Sequence, residues 1–253
     1  MFPSAQQPPR EGLLAEGASS QIYVSRDNVG RPAALKLSRS ERWDASLLAE
    51  ARAAAQYRHP SLLPVLEQGV AEDGRIWLLL PLLTGSTLSD WRPPLTDLLD
   101  ALTGVADALD LLHHGGVGHA DLKPGNLLLD DRSGPPRLLL ADLGLLSPLG
   151  EVAPGGTPAY LSPRRLDGQP LTWRDDLHSF AVLLFEALAG ELPWSAKVGD
   201  ALLQSIRAGR LDSLQSRRPG WQRRHGVAGW APSPAWDCPS SSMPILEGRA
   251  PWR

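Results

Sequence analysis

Cysteine is nearly absent from this chain of 253 residues, in which Cys238 is the only one. A single cysteine excludes an intrachain disulfide and excludes a zinc site built on several thiolates. Scarcity of this kind is typical of proteins in a reducing compartment. We therefore expect a cytoplasmic protein.

Long apolar segments are missing as well. The two longest, residues 77–83 and 181–189, fall well short of the roughly 20 apolar residues that span a bilayer. The first ten residues contain Pro and Gln where a secretory signal would have an apolar run. We expect no membrane partner, and we expect residues 1–10 to be a flexible N-terminus.

Neither sign of charge is in large excess. The 25 Lys and Arg residues and the 28 Asp and Glu residues leave a formal net charge of −3. This balance carries no electrostatic signal for nucleic acid or for an anionic surface, so nucleic acid is not an expected partner. The hydrophobic share of 42% is sufficient for a core. At this length, one large domain or two small lobes around a cleft are both possible.

The most informative stretch runs from His119 to Asn126, directly before the apolar residues 127–129. Asp121 can accept a proton from a hydroxyl, Lys123 can screen negative charge, and Asn126 can offer an oxygen to a hard cation. Together these residues suggest phosphoryl transfer. Taken alone, the stretch is also compatible with a polar surface turn.

This stretch resembles the catalytic loop of the eukaryotic-type, or Hanks-type, protein kinases, whose pattern H-R-D-L-x-x-x-N is followed by D-F-G and A-P-E. Residues 141–144 resemble the second signature, with Leu143 in place of Phe, and residues 156–164 resemble the stretch that ends in the third. Three matches in family order are far more specific than one loop. The resemblance implies an α+β, bilobal fold with a small β-rich N-lobe and a mainly helical C-lobe.

The resemblance also implies a domain organisation. It predicts a kinase N-lobe over residues 11–84 and a kinase C-lobe over residues 85–213. Family members continue with further helices where residues 214–253 are rich in Arg, Trp, Pro and Ser and lack apolar periodicity. We therefore expect an incomplete C-lobe followed by a low-complexity, disordered tail.

Four residues have catalytic roles by this resemblance. Asp121 is expected to orient the substrate hydroxyl and take its proton, while Lys123 neutralises charge on the γ-phosphate of ATP. Lys36, on an apolar strand, takes the position of the Lys that holds the α and β phosphates, and Glu50, on an Ala-rich helix, that of its partner. From the residues alone, Lys36 could be a snorkelling edge residue and Glu50 a solvent-facing one.

Other residues are expected to bind the metal and to order the loop. Asn126 and Asp142 are the expected ligands of Mg²⁺, with Mn²⁺ as an alternative. Asp176, near the start of a helix, is expected to hydrogen-bond the catalytic-loop backbone. The apolar stripe Leu177, Ala181, Leu184 and Leu188 predicts the buried side of that helix.

ATP is expected to lie between the lobes. Its adenine would contact apolar side chains and the main chain of the hinge, and its phosphates would lie under the loop between the first two strands. Of the glycines usual in that loop only Gly17 remains, which predicts a stiffer lid or weaker nucleotide binding. The expected contact residues are Ala15, Gly17, Ile22, Ala34, Lys36, Leu80, Pro81, Leu83 and Leu128.

The function that the resemblance favours is ATP- and Mg²⁺-dependent transfer of phosphate to a Ser or Thr hydroxyl of a protein, which could be the chain itself. Lys123 and Thr157 resemble the Ser/Thr-specific branch. The alternative is a pseudokinase that acts as a nucleotide-binding or scaffold module, favoured by the altered Gly-rich loop and by Arg164, where the family has Glu. Phosphorylation of a small molecule is a third possibility. Ala120 replaces the Arg that binds a phosphorylated activation segment, so we expect activity without that phosphorylation.

Overall fold

The computed structural model describes residues 7–17, 19–83, 86–132, 134–194, 196, 198–209 and 212. These residues belong to one compact unit, residues 1–219. Residues 1–6 and the predicted tail over residues 214–253 lie outside the described part of the chain. The domain boundaries proposed above therefore stay predictions.

The N-terminal part is built on an antiparallel sheet. Its strands are β1 (Gly12–Glu16), β2 (Ser20–Arg26), β3 (Pro32–Ser38), β4 (Glu67–Val70) and β5 (Ile76–Pro81). They lie in the order β1-β2-β3-β5-β4, so β3 and β5 are central and buried while β1 is an exposed edge. Alternate residues of β3 and β5 point to opposite faces, and each face has its own apolar cluster.

The residues before β1 lie against the sheet. The Ser25 hydroxyl, in β2, donates to the Pro9 carbonyl at 2.7 Å, and the Arg10 guanidinium lies 5.7 Å from the ring centroid of Tyr23. Pro9 and Arg10 thus contact β2, and the flexibility predicted for residues 1–10 stays a prediction.

One helix packs on the sheet and a larger helical part follows it. Helix α1 (Asp44–Gln56) lies between β3 and β4, as its Ala-rich sequence predicts. The later helices are α2 (Leu95–His114), α3 (Pro163–Leu166), α4 (Trp173–Ala189) and α5 (Gly199–Arg207). The apolar stripe of α2 supplies the centre of the larger core, with Val105, Ala108 and Leu112 fully buried. An antiparallel sheet beside a helical part agrees with the predicted α+β fold.

Two short antiparallel strand pairs lie beside α2 and position the catalytic loop. Strand β6 (Val117–Gly118) pairs with β9 (Ser147–Pro148), and β7 (Leu127–Asp130) pairs with β8 (Arg137–Leu140). The catalytic loop connects β6 to β7 and therefore has each end fixed in a strand pair. Its last three residues, Pro124–Asn126, form a turn of 3₁₀-helix.

The prediction for the buried side of α4 is confirmed at Leu184 and Leu188, which are partly buried and pack against the larger core, and wrong at the start of the helix. Leu177 is 53% exposed and Ala181 is exposed, whereas Asp175, Asp176 and Ser179 are buried with Val182 and Leu183. The buried polar residues bond to distant loops. A hydrophobicity pattern cannot reveal such partners, so it misses the buried polar positions in the first half of the helix.

Candidate active site

A buried ion pair connects the sheet to α1. The Lys36 ammonium, on β3, lies 2.6 Å from a Glu50 carboxylate oxygen, and both residues are buried. The same ammonium lies 3.3 Å from Asp142 Oδ1. Burial by itself lowers the pKa of Lys36, but the charges of the two carboxylates outweigh it and hold the pKa above its usual value. The structure thus brings Lys36 into contact with Glu50, 14 positions away in the sequence, and with Asp142, 106 positions away.

Asp142 has a backbone conformation that few non-glycine residues adopt. Its φ is 61° and its ψ is 52°, in the left-handed region. This places its side chain beside Lys36 with 42% of its surface exposed, so the carboxylate is accessible to a cation. The following turn, Leu143–Leu145, packs on α1.

Gly144 allows that close packing. A Cβ atom at this position would lie 2.6 Å from the Ser46 hydroxyl oxygen and 3.0 Å from the Ser46 carbonyl oxygen of α1. Part of this contact is backbone, which cannot rotate away. The glycine therefore sets how near α1, and with it Glu50, approaches Asp142.

Asp121 accepts hydrogen bonds on both of its carboxylate oxygens. The Thr157 hydroxyl and backbone N–H donate to Oδ1 at 2.7 and 2.8 Å. The Lys123 ammonium donates to Oδ2 at 2.7 Å and to the Thr157 hydroxyl oxygen at 3.1 Å. A carboxylate, an ammonium and a hydroxyl therefore meet at one point, as proton transfer from a hydroxyl requires.

Asn126 is oriented so that its oxygen is available. Its side-chain N–H₂ donates to the Asp121 carbonyl at 2.9 Å and to Asp121 Oδ2 at 3.3 Å. The Asn126 carbonyl in turn accepts from the N–H of Ala141, the residue before Asp142. Asn126 directly precedes β7 and Asp142 follows its partner strand β8. An amide oxygen and a half-exposed carboxylate are a donor set that fits Mg²⁺, which takes few protein ligands and completes its shell with phosphate and water.

Asp176 holds the backbone of the catalytic loop, as the resemblance implies. Its carboxylate accepts from the N–H of His119 at 2.7 Å and from the N–H of Ala120 at 2.9 Å. His113 Nε2 lies 2.8 Å from the same carboxylate. Burial tends to raise the pKa of Asp176, but the His113 hydrogen bond, the nearby His119 and the two amides outweigh it and lower the pKa.

These bonds have a structural consequence for Ala120. Its φ of 68° is unfavourable for a residue with a Cβ. Two consecutive N–H groups bound to one buried carboxylate stabilise that conformation. The partner His113 could not be found from the sequence, because it is 63 positions from Asp176 and merely ends a helix.

The predicted adenine residues also lie together. Ala34 and Leu80 are directly opposite each other on β3 and β5 and belong to one apolar cluster. Side chains from β2, from the segment after β5 and from β7 pack against that cluster, namely Ile22, Leu83 and Leu128. Pro81 ends β5 opposite Ala33, and Leu128 bridges to Thr87 after the hinge. Five of the predicted contact residues therefore share one apolar surface, which is suited to a flat ring.

The predicted Gly-rich loop is a tight connection between β1 and β2. Ala15 is exposed on β1 and pairs with Ile22, next to an irregularity in the strand register. The N–H of Gly17 donates to the Ser20 carbonyl at 2.9 Å. A Cβ at Gly17 would make only an ordinary contact, so this glycine is not required by local crowding.

The segment before α3 is held by a residue that the sequence analysis missed. Arg164 is exposed, whereas Arg165 is buried and donates from Nη2 to the carbonyls of Ala153 and Gly155 at 3.4 and 3.1 Å. Ser162 bonds to the buried Asp175. The exchange of Glu for Arg at position 164 thus leaves the segment anchored through its neighbours. In the sequence, the only signal for this role of Arg165 is that it directly follows another Arg.

In the described part of the chain, no helix has the length and apolar character needed to cross a membrane.

Comparison with known proteins identifies the family. The model of the protein kinase domain matches residues 10–228. The DNA damage-responsive serine/threonine-protein kinase RqkA of Deinococcus radiodurans is 37% identical over 210 residues, which cover 75% of this chain and 30% of that protein. The serine/threonine-protein kinase PknJ of Mycobacterium tuberculosis is 33% identical over 231 residues, 83% of this chain and 39% of the relative. The kinase pkn3 of Myxococcus xanthus is 30% identical over 210 residues, 74% and 38% of the two proteins.

The chain therefore belongs to the protein kinase family, and it is a bacterial-like member of the Hanks type. This family uses ATP and a divalent metal, and the bilobal α+β fold is confirmed. The chain spans 30% to 39% of the length of these relatives.

Proposed function

We propose that the chain is a protein serine/threonine kinase that transfers the γ-phosphate of ATP to a hydroxyl of a protein, including its own. The observation that carries this proposal is the meeting of Asp121, Lys123 and Thr157 within hydrogen-bonding distance, next to the Lys36, Glu50 and Asp142 cluster. A pure binding module has no chemical need for both arrangements.

In the proposed reaction, Asp121 orients the substrate hydroxyl and accepts its proton as the oxygen bonds to the γ-phosphorus. The bond from that phosphorus to the bridging oxygen breaks, and ADP leaves. Lys123 stabilises the negative charge on the transferring group, and Lys36 holds the phosphates that remain on ADP. Glu50 keeps the Lys36 ammonium in place through the 2.6 Å contact.

Asn126 and Asp142 would hold Mg²⁺, or Mn²⁺ in its place. When bound, the cation neutralises charge on the phosphate oxygens and fixes their positions. Asn126 contributes its side-chain oxygen, because its nitrogen is already bonded to Asp121. Asp142 contributes the carboxylate that faces Lys36.

Thr157 supports a Ser/Thr preference and a protein substrate. Its hydroxyl donates to Asp121 Oδ1 and accepts from the Lys123 ammonium. These two bonds hold the carboxylate and the ammonium at the positions that a small aliphatic hydroxyl of a substrate requires. The relatives named as serine/threonine-protein kinases agree with this preference. The complete set of site residues argues against the pseudokinase alternative.

The test is transfer of radiolabel from γ-labelled ATP to a generic protein and to the chain itself. We expect label on Ser and Thr, its loss in the presence of EDTA, and its recovery on addition of Mg²⁺ or Mn²⁺. Asp142→Ala should lose incorporation, whereas Asp107→Ala, at an exposed position on α2, should retain it. Equal incorporation by Asp142→Ala would refute the assigned chemistry.

A location in the cytoplasm belongs to the same proposal. It is supported by the single cysteine, which suits a reducing compartment, and by the presence of ATP, the proposed substrate, in the cytoplasm. Fractionation of cells that express the chain should recover it with cytoplasmic markers. Recovery with the membrane fraction would contradict the proposal.

A further inference from the structure

The segment that leads to Thr157 has no regular secondary structure. Residues 152–157 lie between the turn after β9 and the 3₁₀ turn Pro158–Tyr160. Gly155 and Gly156 have φ angles of 68° and 111°, which residues with a Cβ rarely adopt. Because glycine loses more conformational freedom on folding than any other residue, a turn with two adjacent glycines needs bonds that hold it in place.

Arg165, on α3, supplies such bonds. Its Nη2 atom donates to the Ala153 carbonyl at 3.4 Å and to the Gly155 carbonyl at 3.1 Å. Among the described residues, no other hydrogen bond involves residues 152–156. The two carbonyls lie on either side of Pro154, so one side chain is bonded to the turn at two points.

The Arg165 side chain is itself buried. The residue is 8% exposed, and it forms no ion pair with a described residue. Arginine is rarely buried without a partner, because moving its charge out of water is costly. The carbonyls of the turn are therefore the groups that compensate this buried charge.

The turn presents Thr157 to the catalytic carboxylate. Thr157 is two residues after Gly155, and its backbone N–H and its hydroxyl donate to Asp121 Oδ1 at 2.8 and 2.7 Å. Of the N–H groups of residues 153–157, that of Thr157 is the one bonded to a described residue. A displaced turn would therefore withdraw two donors from Asp121 together.

The same turn packs on the catalytic loop. The Ala153 side chain is buried in one apolar cluster with Ala120 and Leu171. A Cβ atom at Gly156 would lie 3.1 Å from the Ala120 carbonyl oxygen, so the turn passes close to the residue before Asp121. A change in the position of the turn therefore acts on the loop as well as on Thr157.

We propose that Arg165 is a positioning residue for phosphate transfer. By binding the Ala153 and Gly155 carbonyls, it holds the turn that presents Thr157 to Asp121. This role rests on the proposed function, in which Asp121 orients the substrate hydroxyl. The groups bonded to Arg165 include no predicted nucleotide contact, so its loss should lower the rate of transfer and leave the nucleotide affinity unchanged.

The first test compares Arg165→Met with Arg164→Met in the full chain, at a temperature where unfolding curves show both to be folded. Arg164 is the matched control, because it is exposed and its side chain bonds only to the Pro170 carbonyl among the described residues, at 3.5 Å. Arg165→Met should lower kcat about tenfold to 100-fold, the cost of a misplaced catalytic group. Neither variant should change the dissociation constant of a non-hydrolysable ATP analogue.

A conservative variant covers the case in which Arg165→Met does not fold. Arg165→Lys keeps the charge and an N–H donor on a shorter side chain. It should therefore lower kcat less, by about threefold to tenfold, the value of one hydrogen bond. Full kcat in Arg165→Lys, together with failure of Arg165→Met to fold, would assign Arg165 to stability and overturn the positioning role.

A role that acts through Thr157 also predicts losses that do not add. Thr157→Val has already lost one of the two donors to Asp121 Oδ1. The factor by which Arg165→Met lowers kcat should therefore be at least about threefold smaller in Thr157→Val than in the wild type, whereas independent sites add to within about twofold. Additive losses would overturn the role.

Hydrogen exchange of the Thr157 N–H tests the same role without phosphate transfer. Exchange should be faster in Arg165→Met than in the wild type and in Arg164→Met, because the bond to Asp121 opens more often. Equal exchange, or equal kcat in the two methionine variants, would overturn the role of Arg165. If the wild type transfers no phosphate, the proposed function fails, and the exchange comparison then decides by itself whether Arg165 holds Thr157.

Discussion

The carboxylate of Asp176 offers the sharpest quantitative test, because it holds the catalytic loop without touching substrate. Asp176→Asn keeps the shape of the side chain and removes its charge. One of the two oxygens becomes an N–H₂ group, which can donate but cannot accept. Three groups now donate to or contact the carboxylate, so at least one of them must lose its acceptor.

The size of the effect follows from these contacts. Asp176 is 1% exposed, so water cannot replace the lost bond. A buried donor left without a partner costs about 1–3 kcal/mol, and the loss of a charged acceptor weakens the bonds that remain. We expect the free energy of unfolding to fall by roughly 2–4 kcal/mol, which at about 2–4 °C per kcal/mol is a fall in Tm of roughly 4–16 °C.

Activity should fall by a different route from stability. Ala120 loses the bonds that stabilise its positive φ, so Asp121 is no longer fixed beside Lys123 and Thr157. A misplaced catalytic group costs up to about 100-fold in rate. We therefore expect kcat to fall at a temperature where the variant is folded, with little change in the affinity for ATP.

The assay combines thermal unfolding, nucleotide binding and steady-state phosphate transfer. Asp167→Asn is the matched control, because that carboxylate is 55% exposed and pairs with Arg207 at the surface. This control variant should change the melting temperature, the nucleotide affinity and the rate of phosphate transfer very little. If Asp176→Asn melts and turns over like the control, the assignment of Asp176 as the anchor of the loop is refuted.

Three other changes have outcomes that the structure predicts. Gly144→Ala places a Cβ against the backbone of Ser46, so it should lower the free energy of unfolding by about 1–3 kcal/mol and should lower kcat. Gly12→Ala, whose Cβ meets nothing within 4 Å, should change neither. Equal unfolding curves of the two variants would count against the role of Gly144. Thr157→Val removes the hydroxyl that donates to Asp121 and should lower kcat/KM about tenfold or more. Thr157→Ser keeps the hydroxyl and should keep kcat/KM. Full activity of the valine variant would contradict the geometry. Burial lowers the pKa of His178, so its neutral form is favoured by folding: its contribution is intact above about pH 6.5 and is lost as the pH falls through its folded pKa. Measured from pH 7.5 to 5.5, the wild type should lose more stability than His178→Phe, and parallel curves would disprove this.

The elements themselves were predictable. Helix α2 spans the residues of its apolar stripe and ends directly before Gly115, because a single apolar face and a glycine stop are local signals. For α4 the apolar stripe predicted the packing of Leu184 and Leu188 and failed in the first half of the helix. The buried side there contains Asp175, Asp176 and Ser179, whose partners lie in other parts of the chain.

The candidate site was predicted from ordered signatures and not from local pattern. The resemblance to the family suggested Lys36 and Glu50 as a pair and Asp142 as a metal ligand. From the residues alone, Lys36 could be an edge lysine and Glu50 a solvent-facing residue. Only the folded chain could distinguish these readings, because an ion pair depends on a distance. The structure gives 2.6 and 3.3 Å for the two contacts of the Lys36 ammonium.

The amino-acid order of this protein determines its helices, its strands, its family and the kinds of side chain available for phosphoryl transfer. Which atoms contact one another is decided only by the fold. The fold produces the left-handed backbone at Asp142, the hydrogen bond from Ala120 to the Asp176 carboxylate and the bond from Arg165 to the Gly155 carbonyl. It also leaves the buried Oε1 atom of Gln68 without a partner among the described residues. The physical reason is range. Helix and strand preferences act between neighbours along the chain, whereas buried charges and hydrogen bonds take their energy from partners that sequence distance does not reveal.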